Sequence, residues 1–221
     1  TGADLVLALP TTRVAVMGTA GKEYTYKKEL QEVRATAATR LKEEARYDEA
    51  IATLRQALVE IAKEGGMHPI ATYLRLPMML QLAGQRDAAW SEYNRLLTTD
   101  VTSMASDAQI GPMERSQVYD KMRLMLQREG NPRWAVSMGI LSHVSWAIGL
   151  KRQHRTEELV EHVSAARLSE VVTPLLKKAR AGGARDELVA LLTEELSRPD
   201  RIDVVALTSH IDAIIPREPR V

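Results

Sequence analysis

Residues 134–150 read WAVSMGILSHVSWAIGL, and this stretch contains no charged residue. At helical spacing one large apolar stripe comprises Trp134, Met138, Leu141 and Ile148. A second apolar stripe comprises Val136, Ile140 and Ala147. A face of small side chains comprises Ala135, Gly139 and Ser142. A helix that is apolar on nearly every side belongs in the interior of a packed protein. The sequence therefore predicts a central helix that other, amphipathic helices cover.

A transmembrane helix is the alternative interpretation of this stretch. Spanning a bilayer needs roughly 17 to 25 mostly apolar residues, and 134–150 reaches only the lower end of that range. The stretch also contains His143 and three serines, and no second apolar stretch of this kind accompanies it. We therefore expect a buried helix of a soluble protein and no membrane span.

The composition of the whole chain favours an all-α fold. Of the 221 residues 45% are hydrophobic, Phe is absent, and nine Met residues help to fill the core. Leu, Ala, Met, Glu, Gln, Arg and Lys, which favour helices, dominate. We predict helices over 22–45, 47–63, 69–83, 86–98, 112–129, 132–151, 156–180, 184–197 and 202–214, with a kink at Pro77.

Charge and cysteine content limit the classes of function. Lys and Arg together number 30 and Asp and Glu 29, a balance that argues against a nucleic-acid partner. The absence of Cys excludes disulfides and thiolate metal sites. Because no signal peptide is visible either, we expect a cytoplasmic protein.

The first residues differ in character from the rest. Residues 4–9 and 13–17 are short apolar runs closed by Pro10 and by Gly18-Thr19-Ala20-Gly21, a pattern typical of a β-hairpin. We therefore divide the chain into a strand-like segment over 1–21, helical repeats over 22–155 and a C-terminal helical cap over 156–221.

Residues 1–45 contain a short motif made up of Ala8, Pro10, Thr11, Val14, Ala15, Val16, Met17 and Gly18, followed by Tyr26, Lys28 and Glu29. With these residues the stretch resembles a segment of the biotin-dependent acyl-CoA carboxyltransferases. That family has a crotonase-like fold and transfers a carboxyl group from carboxybiotin to an acyl-CoA. The resemblance implies an accessory or interrupted fragment of such an enzyme, and it carries over no catalytic residue.

Three later segments repeat one pattern, in which a helix ends at a small residue and the next helix opens with alanine and a large apolar residue. They begin at Leu41, Leu80 and Leu126, at offsets of 39 and 46 residues. Residues 37–150 thereby resemble degenerate tetratricopeptide repeats, whose second helix often begins Tyr-Asp-Glu-Ala-Ile, as at 47–51. The resemblance implies a helical-hairpin bundle or a short solenoid, although the usual period is about 34 residues.

Several Met and aromatic residues lie beside the repeat turns. Because stacked helix pairs form concave surfaces and Met is frequent at adaptable binding surfaces, these residues are candidates for a groove that binds a peptide. The candidates are Tyr73, Met78, Met79, Trp90, Tyr93, Met122 and Met125. The alternative interpretation, that the Met residues fill a core without Phe, is the one we favour for most of them.

No residue pattern in the sequence names a reaction. None of the five His is placed at zinc-ligand spacing, so we expect no metal and no cofactor. For His143 we predict a core histidine bonded to a Ser or to a backbone carbonyl rather than a catalytic base. The cluster of Glu157, Glu158 and Glu161 is typical of a solvated helix face.

The sequence as a whole favours a non-enzymatic helical-repeat scaffold that binds a protein or peptide partner. The carboxyltransferase fragment is the competing hypothesis, and it would make the chain part of an enzyme. Whether the protein forms a homo-oligomer stays open.

We predict that residues 1–21 are weakly coupled to the helical body. Their apolar pattern has a different period, and two strands without further partners are marginally stable in water. Deleting 1–21 should leave a cooperative urea melt with an unchanged slope. Loss of the cooperative transition in the shortened chain would contradict the boundary at residue 21.

Overall fold

The computed structural model describes residues 36–64, 69–98 and 111–215. Over these residues the protein is all-helical and contains no strand, as the composition predicts. Residues 36–43 are helical, and ten helices follow: α1 Tyr47–Glu64, α2 Ile70–Tyr73, α3 Arg75–Leu82, α4 Arg86–Thr98, α5 Pro112–Arg128, α6 Pro132–Arg152, α7 Thr156–His162, α8 Ala165–Lys178, α9 Arg185–Leu196 and α10 Val204–Ile214. The hairpin predicted over residues 1–21 lies outside the described residues, as does most of the carboxyltransferase-like segment.

The helices pack around two hydrophobic clusters. The first extends from the helical residues 36–43 to α5, and the second extends from α6 to the residue that follows α10. The partly buried side chains of Tyr119 on α5 and Met138 on α6 pack against both clusters. The hairpin of α5 and α6 therefore joins the two halves of the core.

Helix α6 is the central helix that the sequence predicts. Twelve of its 21 residues are buried, and they lie on every side of the helix. It pairs along its length with α5 and also contacts α7, α8, α10 and the turn Pro199–Arg201. Where α8 packs against it, a Cβ on Gly139 would lie only 2.6 Å from Leu175 Cδ1, so the side chain of Leu175 occupies the space that a larger residue at position 139 would need.

Trp134, which the sequence places in the apolar stripe of α6, is an exception. Its side chain is 54% exposed, whereas Ile140 and Leu141 farther along the helix are buried. Trp134 lies in the first turn of α6, where it lines a cleft beside Trp90 and is not enclosed by the second cluster. The prediction of a buried Trp134 is therefore wrong.

Five of the helices end in the same turn. In each, a leucine carbonyl accepts a hydrogen bond from the N–H five residues later, and the residue before that donor adopts a positive φ. The leucine and the positive-φ residue are Leu41 and Ala45, Leu80 and Gly84, Leu126 and Gly130, Leu150 and His154, and Leu176 and Arg180. These are Schellman motifs, which satisfy carbonyls that would otherwise lack partners at a helix end.

Two predicted helices are interrupted in the structure. The helix predicted over 69–83 breaks at Leu74, three residues before Pro77, whose ring nitrogen has no hydrogen to donate. The helix predicted over 156–180 breaks after His162, because the Ser164 side chain accepts a hydrogen bond from Arg167 N and starts α8 as its N-cap. Among the described residues, no helix is long and apolar enough to cross a membrane.

We predict that Gly130→Ala and Arg180→Gly change the free energy of unfolding in opposite directions. The φ values are 73° at Gly130 and 53° at Arg180, and the left-handed region costs a residue with a Cβ about 1 to 2 kcal/mol. Gly130→Ala should destabilise the protein by about 1 kcal/mol, and Arg180→Gly should stabilise it by roughly 0.5 to 1 kcal/mol. Urea denaturation measures both changes.

Gly182→Ala is the matched control. Gly182 has no positive φ, and no heavy atom lies within 4 Å of an added Cβ. This substitution should be neutral or slightly stabilising, because alanine has less conformational freedom in the unfolded chain. If Gly130→Ala behaved in the same way, the turn would not require a left-handed residue.

Candidate functional site

The structure does not bring the seven candidate partner-binding residues together on one surface. Tyr73, Tyr93, Met122 and Met125 are buried in the first hydrophobic cluster, where they fill the core. Met78 and Met79 line one groove and Trp90 lines a separate cleft. Among the described residues, these three of the seven line a concave surface, and Met79 is at the same time buried in the first cluster.

Met78 and Met79 lie in a groove of about 490 Å³ that we call the methionine groove. Its apolar lining comes from the helical residues 36–43, α1 and α3, and comprises Ala38, Tyr47, Leu54, Met78, Met79 and Leu82. Its charged residues are Lys42, Arg75 and Arg128, and no Asp or Glu is among the described residues that line it. The groove therefore offers apolar pockets with a positive rim.

A smaller cleft of about 340 Å³ lies between α4, α5 and α6. Trp90 on α4 and Trp134 on α6 line it together with Arg86 and Met138. Trp90 also contacts the buried ring of Tyr93 edge to face, with ring centroids 6.2 Å apart. Trp90 is therefore held by the core, while Trp134 extends into solvent.

A third concave surface lies between α5, α6, α7 and α8, and we call it the histidine cleft. Its volume is about 490 Å³. The residues that line it are Ser116, Asp120, Arg123, Gln127, Gly139, Ser142, His143, Trp146, His162, Arg167, Val171, Pro174, Leu175 and Lys178. It therefore combines two histidines with cationic and aromatic side chains.

The two histidines form a reciprocal pair. The imidazole rings of His143 and His162 stack with centroids 3.7 Å apart and planes 16° from parallel. Each Nε2 lies 3.0 Å from the backbone carbonyl oxygen of the other histidine. A carbonyl oxygen only accepts hydrogen bonds, so each Nε2 carries a proton and donates it. The pair thereby fastens the end of α7 to the middle of α6.

Burial keeps this pair neutral. Loss of hydration, followed by the neighbouring imidazole of His162, lowers the pKa of His143 to about 4. Burial also lowers the pKa of His162 below its usual value. A charged imidazole in this position would lose solvent contact and would stack against a second ring that also binds protons.

The prediction for His143 is confirmed in its hydrogen bond to a backbone carbonyl. Its partnership with His162 is not visible from sequence, because the two residues are 19 positions apart and on different helices. They meet because the Schellman turn at His154 directs α7 back along α6. Among the described residues, no group of three His, Asp or Glu side chains could hold a metal ion.

Comparison of the chain with models of protein families, with curated proteins and with solved structures finds no match.

We predict that acid destabilises the protein through the histidine pair. The pKa of His143 is about 4 in the folded state and about 6.5 in an unfolded chain, so the unfolded state binds more protons between these values. The contribution of the pair to the free energy of unfolding is therefore fully present above about pH 6.5 and is lost as the pH falls towards about 4. Urea melts at about pH 7 and about pH 5 should differ by roughly 1 to 3 kcal/mol.

The double variant His143→Gln/His162→Gln should lose most of this pH dependence, because glutamine does not titrate. His210→Gln, which replaces an exposed histidine on α10, is the control and should keep it. An equal pH dependence in the double variant and the control would assign the acid sensitivity to other groups.

Proposed function

We propose that the protein is a non-enzymatic helical-repeat scaffold that binds an acidic, amphipathic segment of a partner protein in the methionine groove. The observation that carries the proposal is the composition of this groove, which has six apolar lining residues, three cations and no carboxylate among the described residues. The chemistry of the groove determines the chemistry of the segment that we expect to bind there.

The apolar part of the groove supplies affinity. Leu82 is 41% exposed although it lies beside the buried side chain of Met79. Burying a fully exposed side chain of this size contributes about 1.5 to 3 kcal/mol of free energy. Leu82 and Met78 are only partly exposed, so covering each of them contributes a fraction of this value to the binding free energy. Met side chains adapt to the shape of the bound residue, which suits a surface that receives large apolar anchors.

The cations supply orientation and selectivity. Lys42 and Arg75 lie on separate helical segments that border the groove, and Arg128 ends α5. Arg128 is held by a hydrogen bond of 3.1 Å from its Nη1 to Gln81 Oε1, so its position is defined. An amphipathic helix with Asp or Glu beside its apolar anchors would place opposite charges on this rim, which raises the rate of association.

The repeated turns support the tetratricopeptide-like part of the proposal. The three turns recognised in the sequence, at Ala45, Gly84 and Gly130, have the same backbone geometry. Two further turns, at His154 and Arg180, share it. Stacked helical hairpins joined in this way produce concave surfaces, which is the feature that a peptide-binding scaffold needs.

Selection from a peptide library displayed on phage tests the proposal with the unmodified protein. We expect the selected peptides to carry apolar residues at helical spacing together with Asp or Glu, and their affinity to fall as the salt concentration rises. Leu82→Ser and Arg75→Glu should each weaken binding by about tenfold, as measured by fluorescence anisotropy.

Two exposed positions outside the groove provide matched controls. Val160→Ser removes an exposed apolar side chain that is 64% accessible, and Arg198→Glu reverses an exposed charge. Neither should change the affinity of the selected peptides. Peptides without acidic residues, or peptides that bind Leu82→Ser as tightly as Val160→Ser, would contradict the proposal.

The carboxyltransferase hypothesis is tested separately. Incubation of the protein with an acyl-CoA and carboxybiotin should give no transfer of the carboxyl group if the chain is a scaffold alone. Formation of a carboxylated acyl-CoA would instead establish that the chain takes part in an enzyme.

A further inference from the structure

The histidine cleft has an excess of positive charge. Arg123 from α5 and Arg167 and Lys178 from α8 line it, and Asp120 is the one carboxylate residue among its described lining residues. The Lys178 ammonium donates to the neutral amide oxygen of Gln127 at 3.1 Å. Gln127 lies one helical turn after Arg123 on α5, so Lys178 and Arg123 are close to each other in the cleft. Arg167 lies eleven residues before Lys178 on α8, about 16 Å away along the helix, and lines the other end.

The two arginines keep donors for a ligand although each has a carboxylate partner. Arg123 donates to Asp120 through Nε and Nη2, and its guanidinium has further N–H donors for an anion. Arg167 pairs with Glu170, and both side chains of this pair are more than half exposed. Exposed pairs of this kind stabilise a protein very little, so an anion can replace Glu170 at low cost.

The uncharged side chains of the cleft favour the binding of an aromatic ring. The stacked pair of His143 and His162, the half-buried indole of Trp146 and the ring of Pro174 all line it. His143 is only 8% exposed, so its ring is a fixed part of the wall. Aromatic rings in the wall of a cleft favour stacking with an aromatic group. The volume of about 490 Å³ lies within the range of small-molecule sites.

A phosphate monoester matches the charged part better than a carboxylate does. It carries a charge of about −1.5 to −2 at neutral pH and three acceptor oxygens. Arginine binds phosphate oxygens in pairs through its planar fork, and lysine binds them as a point charge. Arg123 and Lys178 together offer both kinds of contact.

We propose that the histidine cleft binds a small phosphate monoester that carries an aromatic ring, as a nucleoside monophosphate does. Arg123 and Lys178 contact the phosphate group, and the ring lies against the wall formed by the two histidines and Trp146. This site shares no lining residue with the methionine groove, although α5 contributes to both.

Isothermal titration calorimetry of the whole chain with adenosine monophosphate tests the proposal. Adenosine monophosphate should bind, and adenosine and inorganic phosphate should each bind at least about tenfold more weakly, because each lacks one half of the contacts. Adenosine that binds as tightly as the monophosphate would overturn the proposal, as would the absence of binding at millimolar ligand.

Two neighbouring lysines give a matched pair of variants. Lys178→Gln and Lys177→Gln remove the same charge from adjacent exposed positions on α8, and only Lys178 lines the cleft. Lys178→Gln should weaken binding by about tenfold, whereas Lys177→Gln should leave it within about twofold. Equal affinities of the two variants would show that the phosphate does not lie in the cleft.

The imidazole signals in a nuclear magnetic resonance titration report the location independently. Adenosine monophosphate should shift the signals of His143 and His162 and leave that of His210 on α10 unchanged. Shifts at His210 without shifts at the pair would place the ligand elsewhere and overturn the proposal.

Discussion

The enclosure of helix α6 is the constraint on which the rest of the structure depends. A 21-residue helix with buried side chains on every face is stable in water only if other elements cover all of its sides. Helix α5 covers one side along its length, α8 and α7 cover a second, and α10 closes a third. Tyr119 of α5 and Met138 of α6 pack against both hydrophobic clusters, so the two halves of the core are joined at the α5–α6 hairpin.

Polar side chains on α6 determine how the covering helices are placed. Ser142 Oγ donates to the backbone oxygen of Ser116 on α5 at 2.9 Å, His143 bonds to the end of α7, and Ser137 Oγ donates to Asp212 Oδ1 on α10 at 3.0 Å. Each bond connects α6 to a different helix. Apolar contacts alone would tolerate sliding between helices, whereas a buried polar group left without its partner costs about 1 to 3 kcal/mol. These bonds therefore select one register at each interface.

The sequence predicts the helices far better than the sites, for a physical reason. The boundaries of α4 and α6 follow from local signals: the residues at a helix start, the small residue at the preceding turn and the apolar period. The break before α8 has such a signal too, in Ser164, but the surrounding apolar pattern obscures it. The stacking of His143 on His162 and the burial of Met122 and Met125 depend on which faces meet after folding, and residues along one helix do not carry that information.

The return of α10 to α6 has a consequence for the order in which the protein assembles. Most neighbouring helices in space are also neighbours in the chain, but Ser137 and Asp212 are 75 residues apart. Contacts between distant residues form late, because closing a long loop costs entropy before any contact compensates for it. On the ribosome, the side of α6 around Ser137 therefore stays open until residues 204–214 have been made. During that interval this side of α6 is an uncovered surface of the nascent chain, and uncovered apolar surface is the kind that chaperones recognise.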